Sequence, residues 1–275
     1  MFNVLSDIHL EKTPDRHVIR RINSIIPNHR ARFLLLAGDI GDPFSPSFWR
    51  YIETQSFLYE KVFFVTGNKE YNLTNDIKNE ILIVHHHIHE QLERKNLKNV
   101  HFLDERSMEL EDFVIIGTTL WTYIPKNISN YKNDEAICSL FQSNVKFLEN
   151  EIQKAYQNNP KKPIIVLTHF APTKKNTSMG LKEDYFHSVD LEAYVPSFNL
   201  VNTYVYGHTH LNPPYVKKKY QVKNTVPIKC LPLEKKKHDG NNVWMDKHIR
   251  YVSNQVGYHT TKVLEGCHID FSFLL

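Results

Sequence analysis

The chain has 275 residues, 41% hydrophobic and 23% charged, a balance that supports a packed core and excludes global disorder. Its formal net charge of +4 is modest for this length and does not by itself imply a nucleic-acid partner. No apolar run is long enough to span a bilayer, the N-terminus lacks a charged leader region, and three scattered cysteines (Cys138, Cys230, Cys267) suit reduced thiols rather than a disulfide framework, so a soluble cytoplasmic protein is expected.

Phe2 to Leu5 is a short apolar run that reads as a buried strand ending at Ser6-Asp7-Ile8-His9. Residues 15–29 carry apolar positions at Val18, Ile22, Ile25 and Ile26, the spacing of an amphipathic helix. Arg32 to Ala37 is a second strand, ending at Gly38-Asp39, and the order strand–helix–strand suggests a βαβ-like unit. A helix over 47–60 leads to a third strand, Lys61 to Thr66, which ends at Gly67-Asn68-Lys69-Glu70. Residues 73–96 are helix-like and hold His85-His86-His87-x-His89. The tract resembles a metal site, but successive helical residues point about 100° apart, so only His85 and His89 could share a face. A surface or packed helix is expected there.

Residues 99–103 and 113–117 read as strands, the second running into Gly117-Thr118-Thr119-Leu120-Trp121. A polar loop over 123–135 precedes a helix over 136–156, stopped by Pro160 and Pro163. Pro163 to Thr168 is a strand ending at His169, residues 173–185 read as loop, and a short helical stretch at 191–195 follows. The apolar run Val201 to Tyr206 then enters Gly207-His208-Thr209-His210. Read as a strand end, the i/i+2 spacing aims both histidines the same way. Residues 211–248 hold nine lysines against Glu234, Asp239 and Asp246, a segment of net charge +6, and its four prolines argue against long regular elements. Closing strands are expected at 249–253, 261–264 and 269–273. The chain shows no repeat and no convincing linker, so a single domain over 1–275 is expected, with a basic irregular segment at about 211–248.

Five apolar strands thus end in residue types able to bind a metal: Asp7 and His9, Asp39, Asn68, His169, and His208 with His210. In α/β proteins, function gathers outside the carboxyl ends of the strands. Of only nine glycines in the chain, Gly38, Gly67 and Gly207 each immediately precede one of these residues. Mixed imidazole and carboxylate without thiolate suits borderline cations such as Mn²⁺, Fe or Zn²⁺. Asp39, with two oxygens on a short arm, could bridge a pair of them. Two such metals can acidify a water between them and clamp a displacement at phosphorus. Metal-assisted hydrolysis follows, with a phosphate ester favoured and an amide or other substrate still open.

The series Asp7-x-His9, Gly38-Asp39, Gly67-Asn68, His169, Gly207-His208-x-His210 resembles the calcineurin-like metallophosphoesterase superfamily, in the family's order over residues 5–210. The flanks Leu5 to Glu11, Gly117 to Trp121, Thr168 to Pro172 and Tyr251 to Tyr258 resemble one bacterial-type branch. The resemblance implies a four-layer α/β/β/α sandwich with two central mixed sheets. It also implies hydrolysis of phosphate mono- or diesters by a hydroxide bridging two divalent cations. Asp7, His9 and His210 would bind the first metal, and Asn68, His169 and His208 the second, with Asp39 bridging. Asn68 also counts with Lys69 among the catalytic candidates.

Lys69 departs from the family pattern, which has histidine after Gly-Asn. A lysine is ordinarily charged at neutral pH and could stabilise charge on the phosphoryl oxygens, whereas an effective proton donor titrates near the working pH. An outward-facing surface lysine is the bland alternative. The substitution motivates a second reading, a metal-binding but catalytically weak protein with a binding or regulatory role. A third reading, a nuclease contacting nucleic acid through 211–248, is less favoured, because lysine runs are usually solvated and this one has little regular aromatic interleaving. Trp121 could line the pocket but reads more simply as core, and His187 could act only if residues 173–190 were brought over the metals.

Overall fold

The computed structural model describes residues 1–27, 31–71, 76–122, 134–175, 177, 188–210, 212, 243–257, 267 and 272–275. Among them eleven strands form two mixed sheets. The first sheet contains β1 (Phe2–Leu5), β2 (Phe33–Ala37), β3 (Lys61–Val65), β4 (Val100–Phe102) and β11 (Ser272–Phe273), in the order β11-β1-β2-β3-β4. Its strands are parallel except β11, which runs antiparallel to β1. The second contains β5 (Arg106–Glu109), β6 (Val114–Thr118), β7 (Ile164–Thr168), β8 (Thr203–Val205), β9 (Val243–Asp246) and β10 (Ile249–Val252), in the order β5-β6-β7-β8-β10-β9. There β6, β7, β8 and β10 are parallel, with β5 and β9 antiparallel at the two edges.

The two-residue period of the strands sorts their side chains into layers. On β2, Phe33, Leu35 and Ala37 turn inward to meet Phe113, Ile115, Ile165, Leu167 and Val205 in a core between the sheets. Leu34 and Leu36 turn outward, where the sheet is covered by α1 (Asp15–Ser24), α2 (Pro46–Leu58) and α3 (Ile77–Arg94). Val114, Ile116, Ile164 and Val166 do the same on the second sheet, against α4 (Asp134–Asn158). The result is the expected four-layer arrangement of helices, two sheets and helices. Both faces of β1, β2, β6 and β7 are buried, which explains why these strands read as mainly apolar runs rather than as alternating ones; the exception inside β1, Asn3, accepts from Ala31 N and Tyr59 Oη.

Several boundaries differ from the expectation. The amphipathic helix near the N-terminus stops at Ser24, and the short helical stretch near 191–195 is a pair of 3₁₀ turns, Leu191–Ala193 and Pro196–Leu200. Polar, mostly exposed β5 was not expected; its propensity is weak, and pairing to β6 makes it a strand. Within the basic segment expected to be irregular, Val243–Asp246 forms β9, because it pairs antiparallel along its whole length with β10. Most of that segment, the expected strand at 261–264 and His187 lie outside the described residues. No helix among the described residues is long and apolar enough to cross a membrane.

Candidate metal centre

The strands end where the first sheet meets the second, and main-chain hydrogen bonds lace those ends together. The N–H of Asp7 donates to Gly38 O (3.0 Å), that of His9 to Asp39 O (3.0 Å), and that of Gly207 to His169 O (2.9 Å). The glycines make this approach possible. A methyl group on Gly67 would sit 2.2 Å from Asp39 Oδ1, and one on Gly207 would sit 2.6 Å from Asp7 Oδ2 and 2.8 Å from Ala37 O. Both positions need absence of bulk rather than a special backbone. Gly38 needs both, with φ +78° and Gly67 N 2.7 Å from where its Cβ would be.

The backbone is left-handed at Asp7, His9, Asp39, His208 and His210, with φ between 50° and 66°. This is uncommon for residues other than glycine, and such strain clusters at functional sites. It also corrects the reading of His208 and His210 as strand-end neighbours aimed alike. β8 ends at Val205, the turn beyond it rotates each side chain separately, and the two histidines join different groups.

Asp7, His9 and His210 converge in one group, and Asp39, His169 and His208 in another, each with its ligand atoms within 4.8 Å of one another. In the first, His210 Nε2 is 3.4 Å and His9 Nε2 4.0 Å from Asp7 Oδ1. In the second, His169 Nε2 lies 3.0 Å from His208 Nδ1 and 3.1 Å from Asn68 Oδ1. Asp39 stands between them, with Oδ1 3.4 Å from His169 Nε2 and Oδ2 3.7 Å from His9 Nε2.

The ring orientations suit cation binding. His169 Nδ1 is 2.8 Å from Ala37 O, and a carbonyl can only accept, so Nδ1 carries the proton and Nε2 keeps its lone pair. His9 Nδ1 is 3.0 Å from Glu11 Oε1 and sets that ring in the same way. Asp7 is fixed by the Ser6 hydroxyl (2.6 Å) and by the His208 N–H (3.1 and 3.0 Å to its two oxygens). Burial holds the Asp39 carboxyl well above its ordinary range, with Glu70 and Asp7 adding to the effect, and burial also raises Asp7. Burial pushes His169 well below its ordinary value, and His208 adds to that. A pocket that disfavours both carboxylate and imidazolium charge is balanced by divalent cations, so the residues present fit two such ions.

Glu70 was not singled out from the sequence beyond its place after Lys69. It is buried, and its two oxygens accept the N–H groups of Asp39 (3.1 Å), Ile40 (2.6 Å), Gly41 (3.3 Å) and Gly67 (2.7 Å). Burial pushes its carboxyl up to about 7, opposed by these donors. Gln255 lies in the Tyr251 to Tyr258 flank but was given no role from the sequence: its Oε1 accepts the His210 N–H at 2.5 Å. Nor was buried Arg21, whose guanidinium donates to Gly257 O at 2.8 Å and to Ile8 O at 3.4 Å, behind the Asp7–His9 turn.

The Lys69 side chain is exposed, while its N–H donates to Asp39 Oδ1 at 2.8 Å. The histidine tract on α3 divides as helical geometry requires. His85 and His89 face Phe102, and His87 faces away, stacked on Phe44 with ring centroids 4.3 Å apart. Trp121 is buried against Tyr71 and Phe170, and Phe170 in turn packs 4.1 Å from His208.

Comparison with known proteins agrees with this geometry. The calcineurin-like phosphoesterase family model matches residues 2–212, a stretch that includes every residue of the two groups. The chain is also similar to an uncharacterized protein of Acanthamoeba polyphaga mimivirus, 27% identical over 248 residues, covering 77% of this chain and 85% of the viral protein. With the match running over most of its length, the chain belongs to the calcineurin-like phosphoesterase family.

Proposed function

We propose that the protein hydrolyses phosphate mono- or diesters with two divalent cations of the Mn²⁺, Fe or Zn²⁺ type. Asp7, His9 and His210 would hold one, and Asn68, His169 and His208 the other, with Asp39 shared. The placement of Asp39 carries the proposal: its two oxygens face the two groups, 3.4 Å from His169 Nε2 and 3.7 Å from His9 Nε2. When bound, such a pair of cations supplies Lewis-acid polarisation of the phosphoryl group and acidifies water.

The chain's own residues set the conditions for that chemistry. The Ala37 carbonyl and the Glu11 carboxylate accept the Nδ1 protons of His169 and His9, which in the neutral rings leaves the lone pair on Nε2. Glu70 ties the Asp39 loop to the Asn68 loop. The Lys69 ammonium, at an exposed position, would offer a positive charge to phosphoryl oxygens rather than a proton to the leaving group. That exposed side chain also favours the second reading, a cation-binding member of the family whose turnover is weak.

Hydrolysis of activated aryl mono- and diesters with Mn²⁺, measured beside Asp39→Asn, separates the two. Turnover that Asp39→Asn abolishes supports the hydrolase, and the diester-to-monoester ratio narrows the substrate. Two bound ions without turnover on any activated ester would favour the binding or regulatory reading.

A further inference from the structure

Behind the second group lies a polar network that the chemistry above does not use. Asp104, in the turn between β4 and β5, is largely buried, with 7% side-chain exposure. Its Oδ1 accepts the Thr119 N–H at 3.0 Å. Its Oδ2 accepts the Thr66 hydroxyl at 3.3 Å and lies 2.9 Å from His85 Nε2. Tyr71 closes the ring of contacts, with its hydroxyl 2.7 Å from Thr66 Oγ1 and 2.8 Å from His85 Nε2. Burial acts to raise the Asp104 carboxyl, but His85, Thr119 and Thr66 hold it below its ordinary range.

The two threonines sit at particular places. Thr66 follows β3 and lies two residues before Asn68. Thr119 follows β6, and its carbonyl accepts the N–H groups of His169 and Phe170, each at 3.2 Å. The Thr119 hydroxyl also donates to Thr66 O at 2.9 Å. One buried carboxylate therefore joins the first sheet to the second at the point where Asn68 and His169 leave them. A parallel packing route runs from Tyr71 through Trp121 and Phe170 to His208. The other group is braced chiefly by Ser6, Glu11 and Gln255, and it meets this half at the His208 N–H, which donates to Asp7.

From this asymmetry we infer that Asp104, oriented by His85, is a positioning residue for the Asn68–His169–His208 half of the centre alone. The inference rests on the dinuclear reading of the site. Residues that orient ligands from behind typically change metal affinity 10–100-fold. Asp104 acts through one further peptide group, so an effect at the low end, about 10-fold, is expected.

The test is equilibrium dialysis of Mn²⁺ against wild type, Asp104→Ala, Asp104→Asn and His85→Gln, with melting temperatures for each. Histidine-ring NMR on the metal-free proteins accompanies it. Asp104→Ala should weaken one of two Mn²⁺ equivalents by about 10-fold and leave the other unchanged. In the metal-free protein the ring signals of His169 and His208 should move, while those of His9 and His210 stay. Asp104→Asn keeps an acceptor for Thr119 and should recover part of the loss. Weakening of both equivalents together, in step with lost stability, would overturn the inference, as would unchanged binding and unchanged His169 signals. Should Asp104→Ala fail to fold, His85→Gln carries the same comparison. Were wild type to bind no Mn²⁺, the Mn²⁺ form of the dinuclear reading would fall, and the selective or unselective movement of the histidine signals would still decide whether Asp104 positions this half.

Discussion

Asp39 and Glu70 hold each other's loops in place. The N–H of Asp39 donates to Glu70 Oε2 at 3.1 Å, and the N–H of Lys69, next to Glu70, donates back to Asp39 Oδ1 at 2.8 Å. Three more N–H groups, of Ile40, Gly41 and Gly67, end on the same carboxylate. Glu70→Gln would turn an amide NH₂ toward donors that need an acceptor. Stranding a buried donor costs about 1–3 kcal/mol, so a loss of that order is expected in thermal or urea unfolding. Cation affinity should fall with it. An unchanged melting temperature would show that the carboxylate does not carry these donors.

Asp39→Asn removes a charge facing both groups while keeping the side chain's shape. The loss of hydrolysis should exceed the roughly 10–100-fold typical of residues one step behind a metal. It is read from kcat on an activated aryl ester with Mn²⁺ in excess, alongside the number of ions bound.

Gly67→Ala tests the close approach at the centre. The new methyl would lie 2.2 Å from Asp39 Oδ1 and 2.7 Å from both Asp39 N and His169 Cε1, so one of the loops must shift. Overpacking of this kind costs about 1–3 kcal/mol. A folded variant with sharply reduced cation binding is expected, and normal binding by calorimetry would contradict the geometry.

Lys69→His places an imidazole where the charged lysine stands. A general acid is worth about 10²–10⁴-fold where the leaving group needs a proton. Alkyl phosphate esters should therefore gain far more than aryl esters with good leaving groups. If neither class changes, position 69 has no part in the chemistry.

His101 supplies a pH dependence away from the centre. Burial pushes its pKa down to about 4, with Lys61 adding to the effect, and its ring stacks on Phe63 with centroids 5.3 Å apart. An unfolded histidine titrates near about 6.5. Between these values the unfolded chain takes up a proton that the folded one refuses, so stability present above about pH 6.5 is lost as the pH falls toward 4. His101→Asn should flatten that part of the melting-temperature profile of the metal-free protein. An identical slope would assign the acid loss to other groups.

The strands that carry the centre were legible because their burial on both faces makes them short, mainly apolar runs, each followed within two residues by a glycine or a polar ligand type. Gly38, Gly67 and Gly207 were informative for a reason that the contacts now supply: a methyl group at any of them would strike a neighbouring loop. The supporting residues were not legible. Glu70, Gln255, Arg21 and Asp104 are ordinary polar residues, and apart from Gly67, three positions before Glu70, the partners described above lie 13 to 236 positions away in the chain. No local spacing marks such pairs. The edge strands β5 and β9 were missed for a related cause, since their pairing is decided by the neighbouring strand and not by their own composition. The i/i+2 reading of His208 and His210 failed because it assumed an extended backbone where the chain turns left-handed.

That left-handed backbone restricts the residue types these positions can exchange. Asn, Asp and His are the side chains other than glycine that enter this conformation most readily, whereas β-branched residues are real outliers there. At Asp7, His9, Asp39, His208 and His210, the conformation thus admits a small vocabulary of oxygen and nitrogen donors. Drift among those types would retune cation preference while leaving the loops undisturbed. A step to threonine or valine would lose the donor chemistry and the turn together. Variation in metal identity among relatives of this chain is then expected to be written in those three residue types.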